Sequence, residues 1–309
     1  MDMSTSTDSP ARYPVDLHVH TNASDGTDAP AELVAKAKAA GMLAVGITDH
    51  DSVSGVPEAL EAGRRLGVQV VAGVELSLAN DPAHGAVEMH LLGYFIDPDH
   101  PALKATIQRM MAARVEQKLA IVRNLQKLGF DVPEEEVLAL AGQGVPGRMH
   151  IAQVVMRRNP GRIPGPEVLF REYISEGGKA YVERSYQLSL EEGIRVIREA
   201  GGMPVLAHPG AYTSVPDIEG FIRSAVALGL AGLEGPYPYD RNRPFCGKGD
   251  MLDAMIGRFT ALAESLGLAV TGGSDYHGAR KNIALGEQGL TAQAFECLLA
   301  VREALAERK

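Results

Sequence analysis

Histidines and carboxylates in this chain recur at spacings that suit a metal centre. His18 and His20 flank Val19 in an alternating stretch, Val15–Val19, that predicts a strand. A side-chain period of two turns both imidazoles to one face, where they can grip one ion. Asp25 follows in the turn Ser24-Asp25-Gly26, and His50 sits in TDHD after the apolar run 43–47. Glu75 closes the run 68–74, His90 lies within the apolar run 87–95, and His208 follows 203–207. Asp275 and His277 repeat the one-apart spacing after the run 268–271. Mixed His and carboxylate ligands without thiolate suit Zn, Mn or Fe, and several in one mouth imply a multinuclear centre. A lone histidine is more often a satisfied core residue. Two one-apart pairs and four more ligand-type residues at successive strand ends do not fit that reading.

Between these runs lie helical patterns with clear stops, such as 31–40 ending at Gly41 and 57–66 ending at Gly67. Strands alternating with helices of this length predict βαβ units, a parallel sheet and an α/β barrel with its chemistry at one mouth. Residues 101–180 break the alternation with helical patterning alone: a long amphipathic stretch 103–128 stopped by Gly129, then 133–141, 149–158 and 166–175. The expected division is a barrel from 11–100 and 181–309, interrupted by a helical insertion from 101–180. That insertion carries 12 Lys and Arg against 8 Asp and Glu, whereas the rest of the chain carries 18 against 31. Basic charge is therefore concentrated in the insertion, although a solvated helical face would show it too.

The whole chain has 309 residues, 45% of them hydrophobic and 22% charged, which is ordinary globular composition and excludes a disordered or disulfide-stapled protein. Two cysteines, Cys246 and Cys297, argue for a reducing compartment. The opening MDMSTSTDSPARYP lacks an apolar core and no stretch is long enough for a membrane span, so the expectation is a cytoplasmic protein without membrane attachment. A net charge of −9 argues against binding long DNA or RNA, which needs a basic face.

DLHVHTNASDG, ITDHD, GVE at 73–75, the His90 run, AHP at 207–209 and GSDYHG together resemble the successive motifs of the PHP (polymerase and histidinol phosphatase) family, which is related to the amidohydrolases. The motifs run in order from residue 16 to 278. The resemblance implies a distorted (β/α)7 barrel around two or three divalent metal ions, manganese first, with zinc or iron also suited. It further implies that His18, His20, Glu75 and Asp275 hold one ion. Glu75 would bridge to a second held by His90 and His208, and Asp25, His50 and His277 would hold a third. Asp275, His208 or a water could carry the proton, while Asp49, beside His50, reads as an orienting residue or a structural cap.

Gly147-Arg148-Met149-His150 and Gly178-Lys179-Ala180-Tyr181 resemble segments of the branch containing 3′,5′-nucleotide bisphosphate phosphatases and 5′-to-3′ exoribonucleases, in which a helical insertion closes over the mouth. Many relatives have proline where Met149 stands. Arg148 suits bidentate phosphate binding, with His150, Lys179 and Tyr181 as further substrate contacts. The resulting expectation is a metal-dependent phosphatase that removes the 3′-phosphate of a nucleoside 3′,5′-bisphosphate by attack of a metal-bridging hydroxide. Its partner would be a small anionic nucleotide, with short RNA as the alternative and no obligatory protein partner. Histidinol phosphate is a poorer match to the insertion, and a PHP-type binding or assembly module is the non-enzymatic alternative. The turn-rich segment from Gly235 suggests a base-stacking loop with Tyr237, Tyr239, Arg241 and Asn242 within reach.

Overall fold

The computed structural model describes residues 11–141, 145–242 and 249–306, so Cys246 lies outside the described residues. Among them, seven strands form one sheet in chain order: β1 (Val15–Val19), β2 (Ala44–Ile47), β3 (Gln69–Ser77), β4 (His90–Tyr94), β5 (Met203–Leu206), β6 (Gly232–Glu234) and β7 (Ala269–Thr271). The sheet curls, because residues after β7 bond back to β1. Leu17 N donates to the Gly272 carbonyl (3.1 Å), Asp275 N to that of His18 (2.8 Å) and His20 N to that of Tyr276 (2.8 Å). A side chain at Gly273 would run into His18, so the close approach of these two segments requires glycine there.

β1, β2 and β3 run parallel, as do β5, β6 and β7, but β4 is antiparallel to both of its neighbours. This corrects the fully parallel sheet expected from the alternation of elements. Hydrophobic periodicity has no polarity, and a strand read either way presents the same pattern. The reversal matters, since β4 delivers its first residue, His90, opposite Ser77 at the carboxyl end of β3. His90 thereby reaches the rim where the parallel strands end.

Ten α-helices are present among the described residues: α1 (Pro30–Ala39), α2 (Val56–Leu66), α3 (Pro101–Lys127), α4 (Glu134–Ala141), α5 (Arg148–Arg158), α6 (Pro166–Leu169), α7 (Leu190–Glu199), α8 (Ile218–Ala227), α9 (Asp250–Ser265) and α10 (Ala292–Ala306). Local chemistry sets their ends. α2 stops at Gly67, which takes the left-handed conformation. α7 opens with a reciprocal Ser189–Glu192 capping box. β1, β2 and β5 are buried along their whole length, as expected of strands in a helix-covered α/β sheet.

The chain divides into two compact units, one comprising residues 1–104 and 188–309 and the other Ala105–Gln187. The second unit is helical and has its own core, in which Ile121, Leu125, Val137, Ile151, Val155 and Leu169 are buried. None of the helices among the described residues is long and apolar enough to cross a membrane.

Candidate metal centre

The metal ligands expected from the sequence all belong to the first unit and converge on one carboxylate. Glu75 Oε2 lies 3.2 Å from Nε2 of both His18 and His20 and 3.1 Å from His50 Nδ1. Its other oxygen is 2.8 Å from His90 Nδ1 and 3.2 Å from His208 Nε2. Asp275 Oδ1 stands 3.3 Å from His20 Nε2, and His277 Nε2 is 3.2 Å from Asp25 Oδ1. The donor atoms form overlapping groups: His18, His20 and Asp275; His50, Glu75 and His90; and His20, Asp25, His50 and His277. His20 and His50 each belong to two of them, so the groups overlap in one cluster.

The donor set fits metal ions on evidence internal to the chain. Buried Nδ1 and Nε2 of His20, Nδ1 of His50, His90 and His208, and Oδ1 of Asp25 have no hydrogen-bond partner among the described residues. Buried polar atoms are rarely left so, because each orphan costs about 1–3 kcal/mol. Six such atoms gathered around one carboxylate fit a donor set for cations.

The charges tell the same story. Burial alone would raise the Glu75 carboxyl, yet His50, His18 and His90 hold it well below its usual range. Asp275 is likewise held low against burial, by His20, His18 and Lys281. Burial depresses His50 to about 3, while His20, buried as well, is lifted to about 9 by Asp275 and Glu75. Without metal, the acidic ligands borrow protons on neighbouring imidazoles as counter-charge, and divalent ions would take over that task.

Several residues hold the ligands in place, and the sequence reading had passed over most of them. Glu234 ends β6 completely buried; its Oε1 accepts from His18 Nδ1 (2.9 Å) and its Oε2 from the backbone N–H of His208 (2.8 Å). This bond presents His18 Nε2 toward Glu75. β6 escaped the sequence reading because three residues, one a glycine, leave almost no periodic signal. Asp49 accepts from Thr21 N, Thr21 Oγ1 and Ser24 Oγ (2.8, 2.7 and 2.6 Å) and so braces the loop that carries Asp25. Asp16, buried in β1 with its pKa pushed up to about 6 by burial, receives the backbone N–H groups of His18, Ser274 and Gly286 and the Ser274 hydroxyl. Asparagine would aim an amide N–H at some of these four donors. Asp16→Asn is therefore expected to cost about 2 kcal/mol of stability, measurable by denaturant unfolding.

His208 and Asp275 adopt positive φ, 30° and 56°. Such conformations cost about 1–3 kcal/mol for residues other than glycine and persist where surroundings dictate them. Both residues stand at the mouth, beside a cavity of about 390 Å³ lined by His50, Glu75, His90, Tyr212, Tyr237 and Lys281 among others. Lys281 Nζ donates to Asp275 Oδ2 (2.6 Å), as does the Tyr237 hydroxyl (2.8 Å). Tyr237 thus bonds Asp275, one of the ligands expected from the sequence, and lines the cavity. Tyr239 is buried against Tyr237 and Phe259, and Arg241 bonds Glu287 (2.9 Å). Asn242 does line the cavity.

The expected substrate contacts belong to the second unit. Arg148 and His150 open α5, where His150 Nδ1 accepts the Gly147 N–H (3.1 Å). Lys179 is exposed, with Nζ 5.0 Å from the centre of the Tyr173 ring, and Tyr181 N donates to the Gly178 carbonyl (3.1 Å).

A PHP domain profile matches residues 16–141. A phosphoribosyl 1,2-cyclic phosphate 1,2-diphosphodiesterase of Eggerthella lenta is 32% identical over 85% of this chain and 94% of its own. The chain belongs to the PHP family. A 3′,5′-nucleoside bisphosphate phosphatase of Chromobacterium violaceum is 31% identical over 85% of this chain and 87% of its own, and a 5′-3′ exoribonuclease of Haemophilus influenzae 30% over 85% and 89%. Among solved structures, a protein assigned as a metal-dependent phosphoesterase of Bifidobacterium adolescentis superposes with a TM-score of 0.72 at 29% identity, covering 94% of this chain and 97% of its own. This PHP protein is a metal-dependent phosphoesterase built on the PHP barrel, and its His, Asp and Glu groups could hold metal ions.

Proposed function

We propose that this PHP phosphoesterase removes the 3′-phosphate of a nucleoside 3′,5′-bisphosphate. The observation that carries the reading is the convergence of five imidazoles and Asp275 around Glu75 beside a cavity of about 390 Å³, a size suited to a small ligand. When bound, the ions supply an activated water and a Lewis acid for phosphoryl oxygens. Manganese is the ion we assign, with two or three per chain, to be checked by elemental analysis of purified protein.

The chain's own groups do the rest. His18, His20, Glu75 and Asp275 would hold one ion, Glu75, His90 and His208 a second, and Asp25, His50 and His277 a third. Asp275 and His208 line the cavity and are assigned the proton handling; Lys281 and Tyr237 keep Asp275 oriented. Recognition of the second phosphate is assigned to the second unit, with Arg148 first and His150, Lys179 and Tyr181 supporting.

Two of the three relatives support a substrate with phosphate at two positions of one sugar, since their names specify a 3′,5′-bisphosphate and a phosphoribosyl cyclic phosphate. The exoribonuclease among them keeps short 5′-phosphorylated RNA as the second reading. The test is phosphate release from adenosine 3′,5′-bisphosphate, 3′-AMP, a phosphoribosyl 1,2-cyclic phosphate, short RNA and histidinol phosphate. Arg148→Ala should raise KM for the bisphosphate at least about tenfold, the worth of one charge-assisted contact, and leave 3′-AMP unchanged. Stepwise nucleotide release from RNA at equal efficiency would move the assignment to the exonuclease. Preference for the cyclic phosphate or histidinol phosphate would overturn it.

A further inference from the structure

Two side chains that line the cavity keep hydrogen-bond donors that no described residue uses. Tyr212 follows β5 and is buried. Its hydroxyl oxygen accepts from the backbone N–H of His90 (3.0 Å), and its ring centre stands 5.5 Å from that of His208. The phenol is thereby fixed through its oxygen, while its own O–H proton meets no acceptor among the described residues.

Lys281 follows β7 and is the only lysine or arginine among the described residues that line the cavity. An ammonium has three donors. One goes to Asp275 Oδ2 (2.6 Å), and no other partner is found among the described residues. The side chain is 31% exposed, so its other two N–H groups are accessible to a ligand. The two residues flank different parts of the Glu75 cluster. Tyr212 stands beside His90 and His208, which meet Glu75 Oε1, and Lys281 beside Asp275, which meets His20.

A phosphoryl group in transfer spreads negative charge over its three equatorial oxygens. Donors fixed beforehand by the fold stabilise that charge without reorganising as it forms. Tyr212 is held by the His90 N–H and Lys281 by Asp275, so both meet that condition. We propose that Tyr212 and Lys281 are catalytic residues that donate to the phosphoryl oxygens of the ester being hydrolysed, the phenol as a neutral donor and the ammonium as counter-charge. Water adds to phosphorus as the ester P–O bond breaks, and one of its protons leaves with the alcohol; Tyr212 and Lys281 keep theirs. Both contacts are to the phosphoryl group common to every candidate ester, so they do not depend on the 3′,5′-bisphosphate reading.

The test compares Tyr212→Phe, Lys281→Met and the double variant with wild type, in full-length protein loaded with manganese. Inorganic phosphate binding, followed by calorimetry, should weaken at least about tenfold in each single variant. Hydrolysis of adenosine 3′,5′-bisphosphate should lose about a hundredfold in kcat/KM, the usual worth of one such donor, and the two losses should multiply in the double variant. Lys281→Arg, which keeps the charge, should recover most of the phosphate affinity. The manganese titration midpoint should stay at the wild-type value, which separates contact with phosphate from support of His90 or Asp275. Should one single variant fail to fold, the other carries the same readouts. If wild type releases no phosphate from the bisphosphate while phosphate binding still depends on both residues, the substrate reading falls and the donor pair stands. Unchanged phosphate affinity overturns the proposal, as does a loss of rate that excess manganese restores.

Discussion

Glu75→Gln should bind at least one metal ion fewer per chain than wild type and lose about a thousandfold or more in kcat/KM, equivalent to roughly 4 kcal/mol of transition-state stabilisation. A carboxamide matches Glu75 in shape but brings no charge, and its NH₂ would point at a ring nitrogen. Both oxygens of Glu75 face imidazoles, two on one side and three on the other, so either orientation of the amide spoils a contact. Elemental analysis after gel filtration and rates across a manganese titration check the two parts. Full metal content with normal rate would remove Glu75 from the centre.

The same substitution has a signature in chelated protein. His20 is raised from 6.5 to about 9 in the fold, so the stability from its protonated form is complete below about pH 6.5 and lost as pH climbs toward 9. Metal-free wild type should therefore unfold at progressively lower temperature across that interval. In Glu75→Gln the slope should flatten, because one of the two carboxylates that raise His20 is gone. Restoring metal should flatten it in wild type as well, since bound ions hold the imidazoles neutral.

The second large effect is expected from Glu234→Gln, at a residue that is not itself among the proposed ligands. Glu234 takes a hydrogen bond from His18 Nδ1 and another from the backbone N–H of His208, itself at positive φ. With two donors facing it, the carboxylate fixes the His18 tautomer and locks the strained backbone; an amide must turn its own donor toward one of them. Loss of such a partner typically weakens metal affinity or activity about 10–100-fold. The expected pattern is a right-shifted manganese titration with kcat largely recovered at saturating metal. A fall in thermal stability with the metal titration unmoved would assign Glu234 to the fold alone.

Much of this was legible in the linear chain because ligand chemistry and strand ends coincide. His18 and His20 announce themselves by spacing, Glu75 and His208 by closing apolar runs, and the helices by period and by stops such as Gly67 and Gly129. Side-chain type and period thus determined the barrel class, the helical character of the insertion and the nine candidate ligands, and the order of motifs determined the family. Other features were decided only in three dimensions. The reversed direction of β4 leaves no trace in hydrophobic pattern, yet it brings His90 to the rim. Glu234, at the end of a three-residue strand, reads as a surface charge until the barrel closes around it. Lys281 and Tyr237 look like loop residues until both meet Asp275. Lys118 looks like an ordinary solvated lysine on α3 and is in fact buried, because period shows which residues share a face but not what covers that face. Burial and partner identity arise from contacts between distant segments, and the function of a charged residue depends on both.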